Sequence, residues 1–330
     1  MQRRPQRFVW VLSILLAAGL GSSANAAERV THFAHVNGIS IAYQEVGDPA
    51  GPPVVLVIGL NGQLVLWPDA FVDGIAGAGY RVVLFDCRDA GLSEKFYWES
   101  DPSLVWAVVR KRLGFGAGST YSLDDMASDT VGLMDHLGID STHVVGRSMG
   151  GMVAQLVALR HPDRTRSMVS IMSTTGAKGL PEADPEVMKI LRGDQPVDRE
   201  GAVERSVVAL TALAGKTHPP DPDAVRELAA RVYDRSHYPP GVRRRMLAIL
   251  DAPSRADALE DLRVPTLVVH GIEDPLIPPA HGEDTAAHIP GARLLLIEGM
   301  GHSMPEPLLP KLLDATLEFL GHAEAQLATK

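Results

Sequence analysis

Three residues, far apart in the chain, have the types and surroundings that nucleophilic chemistry needs: Ser148, Asp274 and His302. Ser148 lies in Val144-Val145-Gly146-Arg147-Ser148-Met149-Gly150-Gly151, a Gly-x-Ser-x-Gly pattern led in by β-branched residues and followed by apolar positions at helical spacing. That context predicts a strand ending in a tight turn that exposes the serine before a helix begins, with Gly146 and Gly150 leaving room for the turn. A serine hydroxyl attacks a carbonyl at neutral pH only if a base takes its proton, and the base needs a carboxylate to fix its tautomer. Asp274 follows an apolar run in His270-Gly271-Ile272-Glu273-Asp274-Pro275, and His302 follows another in Glu298-Gly299-Met300-Gly301-His302-Ser303. The order Ser, Asp, His at three strand ends can converge on one edge of a parallel sheet. Glu273 competes with Asp274 for the acid role, and His270 reads as a core residue or a support for the acid. The oxyanion needs two backbone donors: Met149, next after the nucleophile, and a residue of the turn Ile58-Gly59-Leu60-Asn61-Gly62, with Leu60 ahead of Asn61.

The elements that must position these residues follow from the hydrophobic pattern. Alternating segments at 31–36 and 39–46 flank Asn37-Gly38, a hairpin signal. Continuous apolar runs at 54–58, 82–85, 144–145, 168–172, 266–269 and 294–297 read as strands covered on both faces. Helical periods lie between them, at 69–78, 123–137, 149–161, 282–288 and 308–320. This alternation predicts an α/β fold: a mainly parallel eight-stranded sheet with helices on both faces. Residues 175–262 break the alternation with helix-like stretches only, and we read them as an inserted helical cap between a first core part, 27–174, and a second, 263–330. A further insertion, 95–121, gathers Phe96, Tyr97, Trp98, Trp106 and Phe115, either packing on one another or facing substrate as a lid.

Composition limits the classes available. With 45% hydrophobic and 22% charged residues the chain is neither disordered nor fibrous. Arg3, Arg4 and Arg7, the apolar stretch 8–20 and Ala24-Asn25-Ala26 form an export signal spanning residues 1–26, too short to span a bilayer comfortably and cleaved near Ala27. The expected product is exported, to periplasm or medium, without stable membrane insertion. Losing three arginines takes the formal charge from -9 to -12, which disfavours nucleic acid as a partner. The runs Arg110-Lys111-Arg112 and Arg243-Arg244-Arg245 read as solvated helix faces. Cys87 is the only cysteine, so no internal disulfide forms, and its place after an apolar run makes it a small buried residue. Neither His nor Cys shows zinc-ligand spacing, and the chemistry described needs no metal or cofactor.

The Gly-x-Ser-x-Gly turn, Asp86-Cys87-Arg88-Asp89-Ala90-Gly91-Leu92-Ser93 after a strand, Val264-Pro265-Thr266 before the acid strand and Gly299-Met300-Gly301-His302 together resemble the serine hydrolases of the α/β-hydrolase fold across the mature chain. The run Val55-Leu56-Val57-Ile58-Gly59-Leu60-Asn61-Gly62 with Trp67-Pro68-Asp69, and the segment 265–305, are most similar to the aclacinomycin methylesterase type. That resemblance implies an esterase for methyl or similar carboxylic esters of small molecules, with a cap over the acyl pocket. The chain differs at Ile58, where many members have His, at Asp89, where many have Gly, and in its export signal and aromatic insertion. Lactonase, thioesterase, carbon-carbon hydrolase and cofactor-free perhydrolase chemistries use the same triad. A carboxylate nucleophile, as in dehalogenases and epoxide hydrolases, is disfavoured by Ser148. From another class, a non-catalytic ligand-binding protein would retain the fold without needing the triad.

Overall fold

The structure is a computed structural model that describes residues 29–97, 103–193 and 198–329. The expected signal at 1–26 and Trp98 lie outside the described residues. The chain begins with an antiparallel hairpin, β1 (His32–Val36) and β2 (Ile39–Gly47). Its turn uses Asn37 and Gly38 at φ 51° and 78°, the left-handed pair that a two-residue hairpin turn requires. There follow β3 (Pro53–Val57), α1 (Asp69–Gly77), β4 (Arg81–Phe85), α2 (Leu104–Arg112), α3 (Leu123–His136), β5 (Thr142–Arg147), α4 (Met149–Arg160) and β6 (Thr165–Ile171). Between β6 and the next strand lie α5 (Pro185–Arg192), α6 (Arg199–Leu213), α7 (Pro222–Arg235), α8 (Pro239–Asp251) and α9 (Ala256–Leu259). The chain closes with β7 (Thr266–Gly271), α10 (Ala280–His288), β8 (Arg293–Ile297) and α11 (Leu309–Leu327).

The eight strands form one sheet in the order β1-β2-β4-β3-β5-β6-β7-β8. β2 pairs antiparallel with β1 and β4, and every pair from β4 to β8 is parallel. After β3 the chain crosses to β4 on one side and later returns to lay β5 on the other, so the order reverses between β3 and β5. Such a reversal opens a crevice at the carboxyl ends of the two strands. The central strands explain the long apolar runs: Val54 to Val57, Val82 to Phe85 and Val144 to Val145 are buried in one core that also takes in α1, α3, α4 and α11. Gly74 of α1 lies against the side chain of Leu313 of α11, which any Cβ there would have to displace.

The segment between β6 and β7 has a small apolar cluster of its own, Val203, Val207, Val225 and Ala229 of α6 and α7, with Leu210 and Tyr233 against it. The expected solvation of Arg243-Arg244-Arg245 is wrong for two of the three. Arg244 and Arg245 are buried, because α8 turns one side onto the core at Gly241, Arg244, Arg245 and Ala248, at helical spacing. Four elements exist where the pattern shows none or only part: α2, α5 and α9 are short, and α11 runs seven residues beyond the expected end at 320.

Candidate active site

Ser148 sits between β5 and α4 with φ 56° and ψ -122°, a conformation that costs a non-glycine residue about 1 to 3 kcal/mol. Its surroundings hold it there. Its N–H donates to Ile171 O at 2.9 Å, its carbonyl accepts from Gly151 N–H at 2.8 Å, and Ser173 Oγ donates to the same carbonyl at 2.8 Å. A Cβ on Gly146 would overlap the Gly150 carbonyl, and one on Gly150 would overlap the Val57 carbonyl. Both glycines are therefore required by close backbone approach, not by left-handed φ.

The three separated residues meet. His302 Nε2 is 2.9 Å from Ser148 Oγ, and His302 Nδ1 is 2.7 Å from Asp274 Oδ2. Asp274 Oδ1 accepts the backbone N–H groups of Leu276 and Ile277 at 2.9 and 2.8 Å, so both carboxylate oxygens are engaged. Burial by itself raises the carboxyl pKa; the charge of His302, with hydrogen bonds from His270, His302 and the Ile277 N–H, overcomes it and holds the group well below its usual range. His270 is buried with Nε2 2.7 Å from Ile277 O and 3.4 Å from Asp274 Oδ2, beneath the acid rather than in contact with the serine. Glu273 faces away. Its Oε2 accepts from Lys216 and Thr217 N–H at 2.7 and 2.9 Å, and Thr217 Oγ1 bonds Oε1, which ties the loop after α6 to the loop after β7.

The donors expected for an oxyanion border the same serine. Met149 is the first residue of α4, where an N–H has no acceptor within the helix and the helix dipole adds partial positive charge. Leu60 lies in the turn after β3, closed by Gly62 N–H to Gly59 O at 3.1 Å with Asn61 at φ 59°. That turn is close: a Cβ on Gly59 would sit 3.1 Å from both Ser148 Cβ and Arg147 O. Arg147, half-buried beside the serine, has its pKa lowered to about 10 by burial, against the attraction of Asp274. Cys87 is fully enclosed and burial pushes its thiol up to about 12, so it is no rival nucleophile.

Several supports of the site carry no sequence signal. His302 N–H donates to Leu213 O at 2.7 Å, and Gly301 lies where any Cβ would overlap the backbone at Ala214 and Gly215, so the end of α6 backs the histidine loop. Gln63 Nε2 donates to Val232 O and Ser236 O, both at 2.8 Å, and Arg235 pairs with the buried Asp86 at 2.7 Å. Asp89, at φ 63° in the left-handed region where glycine is common, accepts from Arg244 Nε at 2.8 Å, Tyr121 OH at 2.8 Å and Phe96 N–H at 2.8 Å. An aspartate there thus binds α8 to the β4 loop.

Residues 52–306 match the family model for the alpha/beta hydrolase fold. The chain is 30% identical over 297 residues to rhodomycin D methylesterase DauP of Streptomyces sp. strain C5, covering 82% of this chain and 92% of that protein. Rhodomycin D methylesterase DnrP of Streptomyces peucetius is 29% identical over 296 residues, with the same coverage. Among solved structures, the esterase RhEst1 from Rhodococcus superposes with a TM-score of 0.69 at 22% identity, covering 88% of this chain and 98% of that one. With the match over most of its length, its reversed strand order at β3 and β5 and its serine turn between β5 and α4, the chain belongs to the alpha/beta hydrolase fold family.

Proposed function

We propose that the protein is an exported serine hydrolase that cleaves carboxylic esters, methyl esters of bulky small molecules foremost, through Ser148, His302 and Asp274. The observation that carries the reading is the continuous chain of contacts from Ser148 Oγ through His302 to Asp274, with distances of 2.9 and 2.7 Å. His302 Nε2 takes the proton of Ser148 as Oγ adds to the ester carbonyl. The N–H groups of Met149 and Leu60 hold the oxyanion, His302 returns the proton to the leaving alcohol, and water then releases the acid from the acyl-enzyme by the same route. Asp274 keeps the proton on Nδ1 and stabilises the imidazolium. Likeness to the two rhodomycin D methylesterases supports ester over thioester or carbon-carbon substrates, and methyl as the alcohol part. The positive leader of residues 1–26 supports export.

Ser148→Ala is expected to abolish hydrolysis of a short p-nitrophenyl ester and labelling by a fluorophosphonate. Near-normal turnover by that variant would refute the nucleophile, and absence of an adduct in the parent would favour a ligand-binding protein. A panel of aromatic methyl esters, lactones and thioesters tests the substrate class.

A further inference from the structure

The insertion after β4 contains a helix that is inside-out. In α2 the one buried residue is Ala107, which packs with Ala117, Leu247 and Leu250 against α8. At 100° per residue Val105, Val109 and Leu113 point to the opposite side, with Trp106 and Val108 flanking them. They are solvent-exposed: Val105 at 77%, Trp106 at 56% and Leu113 at 66%, with Phe115 just beyond at 63%. A soluble monomer ordinarily leaves apolar side chains singly on its surface, and a continuous apolar helix face of this kind marks a binding surface. Among the described aromatic residues of the insertion, Phe96 packs on Tyr121 at 5.6 Å and Tyr97 on Tyr238 at 6.0 Å, while Trp106 and Phe115 face outward.

Three cations end the same helix. Arg110 Nε donates to Gly116 O at 3.0 Å and Lys111 reaches Leu250 O. Arg112 is exposed, and among the described residues none of the three has a carboxylate within ion-pair distance. Asp251, on the α8 side, is taken up by the N–H groups of Ala117, Gly118 and Ser119. Arg110 and Lys111 lie toward the side that packs on α8, whereas Arg112 stands among the exposed apolar residues, so a second copy of this face would bury that cation against an apolar surface. An anionic lipid–water interface meets both features at once: apolar and aromatic side chains at the acyl boundary, with Arg112 among them at the phosphates and Arg110 and Lys111 at the margin. At nine residues α2 is only about 14 Å long, so it fits an interface lying in plane, and among the described residues no helix is long and apolar enough to cross a membrane. Screening within about 8 Å at physiological salt lets this local charge act despite the formal charge of -9 for the whole chain and -12 once residues 1–26 are removed.

We propose that α2, with Leu113 and Phe115, docks the protein peripherally on an anionic lipid surface. The segment leaves the carboxyl end of β4, on the sheet edge that carries Ser148, so docking turns that edge toward the lipid. The docking itself does not depend on the ester-hydrolase reading.

The test is flotation of the chain from residue 27, free of the apolar leader, with vesicles of phosphatidylcholine, alone or mixed with phosphatidylglycerol. The mixed vesicles should carry the protein in a salt-sensitive manner. The triple variant Val105→Ser, Trp106→Ser, Leu113→Ser should lower partitioning about tenfold or more on both lipids. Arg112→Ser should lower it about fivefold on the anionic vesicles alone. Unchanged thermal melting of the variants establishes that they fold, and unchanged hydrolysis of a soluble short ester keeps this result separate from that of Ser148. Absence of flotation, or equal flotation of parent and triple variant, overturns the proposal. A parent that sediments as a dimer and a triple variant that sediments as a monomer also overturns it, giving the face to a second copy.

Discussion

Asp274 serves His302 both as a charge and as a hydrogen-bond acceptor. Both of its oxygens are committed, and Asp274→Asn would present the wrong group to Nδ1 while leaving the loop intact. The expected result is a fall in kcat of about 10³ to 10⁴ with KM little changed, read from steady-state rates on a short ester. Because its folded carboxyl is more acidic than the unfolded one, Asp274 adds stability above the ordinary carboxyl pKa of 3.8, and this is lost as pH falls through the lower folded value. Gly150→Ala is expected to destabilise and inactivate, since its methyl would enter the Val57 carbonyl; a soluble variant with parental kcat would contradict that packing. The serine turn and its partners were legible in the sequence because each depends on neighbours within five residues. Ser173 was not, because a hydrogen bond to the carbonyl of Ser148 leaves no pattern of residue types.

Among the elements, the attachment of α8 is the least legible from sequence. Three arginines in a row on an amphipathic helix look solvated, and only the fold puts Asp89 under the second of them, 155 residues away in sequence. Strand and helix identities came through because burial on both faces produces continuous apolar runs and exposure on one produces a helical period. The exception is β8, expected to be covered on both faces, which lies at the sheet edge with Leu294 exposed. Contacts between loops leave no such period. Asp89→Asn keeps the shape and tolerates φ 63° but removes the charge facing buried Arg244, and should cost about 3 kcal/mol in urea unfolding. Adding Arg244→Leu to that variant should recover part of the loss; if it deepens it instead, the pair acts through packing rather than charge.

For the molecule as a whole, acid sensitivity should come partly from His143 of β5. It is buried against the ring of Tyr80, with Nδ1 2.8 Å from Ser167 Oγ, and burial lowers its pKa to about 4 despite the attraction of Glu324. The unfolded chain takes up this proton near pH 6.5 and the folded protein only near 4, so stability falls as pH drops through that window, by about 2 kcal/mol at pH 5. Urea midpoints of the parent and His143→Gln should converge as pH falls from 7 to 5; parallel curves would place the sensitivity elsewhere. The bonds from Leu213 O to His302 N–H and from Lys216 and Thr217 N–H to Glu273 bear on something different, the portability of parts. The end of α6 and the loop after it back the loops that carry Asp274 and His302. A chimera given the helices between β6 and β7 from a relative would inherit a different seat for His302. Exchanging those helices without retuning the contacts at Leu213, Lys216 and Thr217 should therefore yield folded proteins with impaired turnover.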